Sequence, residues 1–129
     1  DLVILMLGTN DLKYRFSVSA FDIAESLGAL VKIIHHSESG PNEGIPKILL
    51  LAPPPLGVMS DFADMFAGGT QKSRQLSRHI QQGAELWGCA FLDTAQVIVS
   101  SDVDGVHLDP GEHRKLGKAV AEIVVKMAL

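Results

Sequence analysis

The chain has 129 residues, 47% of them hydrophobic and 20% charged, with 11 basic against 15 acidic side chains and a formal net charge of −4. That length fits a single domain over residues 1–129, and so much apolar surface at so little net charge excludes a disordered chain. The acidic balance without a basic run excludes a nucleic-acid binder, and no apolar stretch approaches the ~20 residues of a membrane-spanning helix.

Residues 2–7 (LVILML) are a continuous apolar run ended by Gly8, the pattern of a strand buried on both faces of a parallel sheet. No initiator Met and no preceding turn lead into it, so it reads as the middle of a longer gene product. A run this apolar makes a poor open edge, so upstream sequence, a companion chain or a second protomer is expected to pair with it. Ser19 followed by Asp22 forms a helix-start signal, and Phe21, Ala24, Leu27, Val31 and Ile34 then recur at helical spacing. Residues 37–44 are polar and rich in Gly and Pro, hence a loop. Residues 46–52 (PKILLLA) read as a second buried strand, stopped by Pro53, Pro54 and Pro55. Residues 56–69 are irregular, with Met59, Phe62, Met65 and Phe66 interleaved with polar groups. From Thr70 a second helix carries Leu76, Ile80, Ala84 and Trp87 on one stripe, and residues 89–92 (CAFL) read as a short third strand. A long connection over 95–111 follows. Asp109 then caps a last helix with Pro110 at its first position, Glu112 at its third, and Leu116, Val120, Ile123, Val124 and Met127 forming its buried face. Strands alternating with amphipathic helices predict a parallel α/β layer fold. The single cysteine, Cys89, excludes an internal disulfide or a thiolate zinc cluster built from this chain alone, and fits a reducing, cytoplasmic setting.

In an open parallel sheet, ligands collect beyond the carboxyl ends of the strands. Gly8-Thr9-Asn10-Asp11, the proline stop and the long connection all occupy that position. Asp104 lies three residues before His107, so its carboxylate can fold back onto the ring Nδ1–H and leave Nε2 free as a base. The competing reading is an Asp104–Gly105 turn beside a surface histidine. Asn10 can aim its carboxamide at a developing oxyanion, or simply close an Asx-turn. Met59, Phe62, Met65 and Phe66 can line an acyl pocket or a subunit contact, or merely pack the loop. His113 is expected to be aimed separately from His107 by the last helix. No metal or other cofactor is expected.

Taken together these segments resemble the SGNH hydrolases, the GDSL-type esterase superfamily. Residues 1–11 (DLVILMLGTND) are similar to the family's third block, in which Gly-x-Asn-Asp supplies an oxyanion-hole Asn. Asp104-Gly-Val-His107 is similar to the fifth block, which supplies two members of a catalytic triad. The strand and proline stop at 48–55, and residues 66–72, resemble the bacterial arylesterase and acyltransferase branch. The family's Gly-Asp-Ser block and its second block are absent from this sequence and belong upstream of Asp1. The resemblance implies a three-layer α/β/α flavodoxin-like sandwich whose N-terminal strands lie outside this chain. It also implies a serine esterase acting on short-chain or aryl esters, with catalytic Asp104 and His107 and oxyanion donor Asn10. Gly8, Thr9, Pro54, Met59, Phe62, Phe66 and Val106 are the expected substrate contacts. The expected partners are a small ester, an N-terminal segment or companion chain carrying the nucleophilic Ser, and further copies of the chain in a homo-oligomer. Alone, the chain is expected to be inactive. The alternatives are a non-catalytic flavodoxin-like binding module and, less well founded, thiol chemistry at Cys89, which lacks a positioned base.

Overall fold

The apolar runs pair as a parallel sheet of three strands in the order β1 (Leu2–Leu5), β2 (Lys47–Ala52), β3 (Ala90–Asp93). Between and after them lie α1 (Ala20–His35), α2 (Gly69–Trp87) and α3 (Pro110–Lys126). The structure, a computed structural model, describes residues 1–127. β1 runs beside β2 with Leu2 opposite Lys47 and Leu5 opposite Leu50, while Leu49 to Ala52 pair with Ala90 to Asp93. Each strand is shorter than, or shifted from, its apolar run for a local reason. The first ladder ends at Leu5, before the chain turns through Gly8 at φ 122°. Pro46 has no N–H to give to a ladder. Cys89 is still tied to α2, its N–H donating to the Ala84 carbonyl, so β3 begins at Ala90.

Side chains of β2 alternate between two covered faces. Ile48, Leu50 and Ala52 enter the main core with Ile23, Leu27 and Val31 of α1 and Leu76, Ile80 and Ala84 of α2. Leu49 and Leu51 point the other way and are equally buried. Lys47, on that second face, donates to the Met127 carbonyl at the end of α3. Helices therefore lie on both faces, as the three-layer expectation requires. The second layer is thin. No residue of α3 is fully buried, Val125 is 82% exposed, and Ile4 of β1 is 42% exposed. Among the described residues β1 has β2 as its only ladder partner, and so forms one edge of the sheet.

The expected helix starts differ in how they are held. Ser19 Oγ accepts from the Asp22 N–H at 3.1 Å while the Asp22 carboxylate accepts from the Ser19 N–H, a reciprocal pair of a kind that contributes about 1 kcal/mol. Asp109 stands at the α3 cap position, but its carboxylate makes no capping bond and instead accepts the Ser101 hydroxyl at 2.7 Å. Glu112 accepts the Val99 N–H at 2.9 Å. These two acids thus tie the long 95–111 connection to α3. The helices α1 and α2 meet through Gly28, where any side chain would strike the Trp87 indole.

Candidate active site

Two loops beyond the carboxyl ends of the strands meet to form the site. The first leaves β1 through Gly8 and closes a 3₁₀ turn over Asn10–Leu12. Its Asp11, Leu12 and Lys13 N–H groups donate back to the Gly8, Thr9 and Asn10 carbonyls. The carboxamide of Asn10 forms no hydrogen bond within the described chain and is exposed. The second loop, 94–109, is held by a series of contacts to the segment after β2. Thr94 Oγ1 donates to the Ala52 carbonyl at 2.6 Å, Ser100 Oγ to the Pro55 carbonyl at 2.9 Å, and the Gly57 N–H to the Gly105 carbonyl at 2.8 Å.

On that loop Asp104 serves three donors at once. Its Oδ1 accepts the Val106 and His107 N–H groups at 2.8 and 2.9 Å, and its Oδ2 lies 2.6 Å from His107 Nδ1. The two backbone donors and then the imidazole push its carboxyl down to about 2. The group is therefore an anion throughout the neutral range. A carboxylate only accepts, so the tautomer that satisfies it carries its proton on Nδ1 and leaves Nε2 unprotonated. This is the contact that the Asp-x-x-His spacing predicts, although the same carboxylate also closes the turn over Gly105 and His107 stays at the surface.

Gly105 makes the pairing possible. It adopts φ 75°, and a Cβ there would sit 2.6 Å from the Val58 carbonyl oxygen and 3.0 Å from the Met59 Cα. Gly105→Ala should therefore lower stability by about 1–3 kcal/mol in chemical denaturation. If the full-length protein is the esterase that the resemblance implies, misplacing His107 should also lower ester hydrolysis about 10-fold or more, since errors near 1 Å can cost about 100-fold. Wild-type stability and turnover in this variant would show that the loop contact does not set the position of His107.

Asn10 and His107 line two adjoining hollows. One is a cleft of about 200 Å³ bounded by Asn10, Lys13, Phe62, Met65, Phe66, Val106 and His107. The other is a groove of about 400 Å³ bounded by Thr9, Asn10, Val106, His107, Leu108 and His113. The ring of Phe62 meets that of His107 edge-on, with centroids 6.0 Å apart. Thr9, Asn10, Phe62, Phe66, Val106 and His107 thus come together, as one would want of a site. The remaining expected contacts do not. Pro54 is buried beneath the loops, and Met59 packs on the core without reaching the cleft. Gly8 borders a different hollow, with Leu7, Asp11, Ile23, Ser26, Leu27 and Leu30. A Cβ added at Gly8 would lie 3.1 Å from Ile23 Cγ2, so the glycine serves the close approach of this turn to α1.

Two residues join the site that sequence reasoning placed elsewhere or passed over. His113 shares the groove with His107, because the short 108–112 segment brings the first turn of α3 alongside the loop. Lys13 lines the cleft with Asn10. The signal for it was present, since side chains three residues apart in a 3₁₀ turn eclipse one another. The loop serines are occupied structurally: Ser60 Oγ donates to the Val103 carbonyl and Ser101 Oγ to Asp109. Among the described residues no three His, Cys, Asp or Glu side chains converge on a metal position, and no helix is long and apolar enough to cross a membrane.

A family model for GDSL-like lipases and acylhydrolases matches residues 1–115. Among solved structures, the chain is 37% identical to Est24, a carbohydrate acetylesterase from Sinorhizobium meliloti, with a TM-score of 0.93 over 98% of this chain and 61% of that one. It is 39% identical to an aryl esterase of M. smegmatis, with a TM-score of 0.92 over 98% of this chain and 60% of that one. A third similarity is to a putative arylesterase of Agrobacterium tumefaciens, at 35% identity and a TM-score of 0.86, over 98% and 61%. The chain therefore spans about three-fifths of the length of the structures it matches. Comparison with curated proteins gives no match.

Proposed function

The chain belongs to the GDSL-like lipase/acylhydrolase family and has the α/β fold of SGNH-type arylesterases and acetylesterases, and from that premise we propose that it carries the base, the orienting carboxylate and one oxyanion donor of a serine esterase. The observation that supports this most is the Asp104–His107 contact at 2.6 Å, set beside a free Asn10 carboxamide on one cleft. The nucleophile is a serine of the full-length protein upstream of Asp1, and the substrate is a short-chain or aryl carboxylic ester.

The serine hydroxyl attacks the ester carbonyl while His107 Nε2 takes its proton. Asp104 holds the ring in the required tautomer and stabilises the imidazolium. The Asn10 amide donates to the oxyanion as the carbonyl becomes tetrahedral. His107 then returns the proton to the departing alcohol, and water repeats the sequence on the acyl-enzyme. Without its nucleophile the 129-residue chain does not turn over esters.

A fluorophosphonate probe tests this directly, because it reacts with activated serines. In the full-length protein, intact mass should show one adduct, and peptide mapping should place it upstream of Asp1. The isolated chain should stay unlabelled. A folded full-length protein that takes no adduct would overturn the esterase reading in favour of a binding module, and an adduct on Ser60 or Ser101 would relocate the nucleophile.

A further inference from the structure

The cleft beside Asn10 and His107 is walled largely by Phe62, Met65, Phe66 and Val106, yet Lys13 also lines it. The Lys13 side chain is half-buried, with its ammonium 5.9 Å from the centre of the Phe66 ring. Among the described residues that ammonium forms no ion pair and no hydrogen bond. It forms no ion pair with Asp11, two residues before it, nor with Asp61 or Asp64 of the 56–69 segment. Its place is not left to chance either. The Lys13 N–H donates to the Asn10 carbonyl at 3.3 Å, and the next N–H, of Tyr14, donates to the Met65 carbonyl at 2.9 Å. The backbone that carries Lys13 is thus fastened to both walls of the cleft.

An ammonium facing an apolar cleft loses hydration, and an aromatic ring restores only part of it. A carboxylate entering the cleft would supply the missing charge through a charge-assisted hydrogen bond. A volume of about 200 Å³ is below that of drug-sized pockets, so the group that enters is short. We propose that Lys13 is a specificity-determining residue that selects esters bearing a carboxylate on the part of the substrate that fills this cleft. The inference rests on the esterase reading and names the substrate class of that same site.

Two ester pairs in the full-length protein distinguish where the carboxylate resides. 4-Nitrophenyl hemiglutarate against 4-nitrophenyl butyrate places it on the acyl side. 4-Acetoxybenzoate against phenyl acetate places it on the alcohol side. In one of these pairs, Lys13→Met should lower the ratio of kcat/KM for the anionic over the neutral ester about tenfold, the usual worth of a hydrogen bond to a charged group. The loss should appear mainly in KM, because the contact is made before and during the chemical step alike. Lys13→Arg should keep the ratio, and raising the salt concentration should weaken it in the wild type. If neither ratio moves in Lys13→Met, or if Lys13→Arg behaves like Lys13→Met, the assignment of Lys13 is overturned while the esterase reading stands. If none of the four esters is hydrolysed by the folded wild type, both readings fall together.

Discussion

His107→Ala in the full-length protein is expected to reduce kcat/KM for a short-chain 4-nitrophenyl ester about 10⁴-fold, the upper range for loss of a positioned general base. The expectation rests on geometry. His107 is largely exposed, with 71% of its side chain accessible, and among the described residues its only side-chain hydrogen bond is to Asp104. Its removal therefore opens no core cavity, and circular dichroism and thermal unfolding should remain close to wild type. What is lost is the proton acceptor at Nε2 and, with it, the partner that the Asp104 carboxylate holds in place. A folded His107→Ala protein that retains its hydrolytic rate would remove this histidine from the mechanism, and attention would pass to His113 across the groove.

Asn10→Ala carries the second large effect. Removing one preorganised donor to an oxyanion costs about 2.7–4 kcal/mol of transition-state stabilisation, or about 10²–10³ in kcat. KM should change little, because the donor gains its strength only as the carbonyl oxygen becomes charged. The residue is well suited to a clean test. Its carboxamide bonds to nothing else in the described chain, and the 3₁₀ turn around it is closed by backbone groups alone. Asn10→Ala should therefore leave the fold unchanged, and Asn10→Asp should be equally poor, since an acceptor replaces the donor. Wild-type kcat in the alanine variant would mean that the side chain serves the turn and not the reaction.

The two predictions differ in how far the sequence alone supports them. The Asp104–His107 pair is a contact between residues three apart, closed by the turn between them and by two backbone N–H groups of the same segment. The capping pair Ser19–Asp22 is legible for the same reason. Interactions across three or four residues depend on local backbone geometry, which residue order dictates. Asn10 is different. Nothing in its own segment says that it faces His107, nearly a hundred positions away, and the α/β alternation says only that both lie at the same end of the sheet.

Although only β2 is buried on both faces, the sequence by itself determined the alternation of three strands with three helices, the parallel sheet, the family resemblance and the Asp-x-x-His contact. Apolar period, proline stops and short-range capping encode these, and each acts within one element or between neighbours in the chain. Only the tertiary structure decided which side chains share the cleft. It buried Pro54 and turned Met59 toward the core. It diverted Asp109 from capping α3 to receiving Ser101, and it brought Lys13 and His113 to either side of Asn10 and His107. Those outcomes follow from contacts between loops some forty residues apart, such as Ser60 to Val103 and Ser100 to Pro55. Such contacts form only after the sheet has placed the strand ends side by side, so no local pattern in the sequence records them.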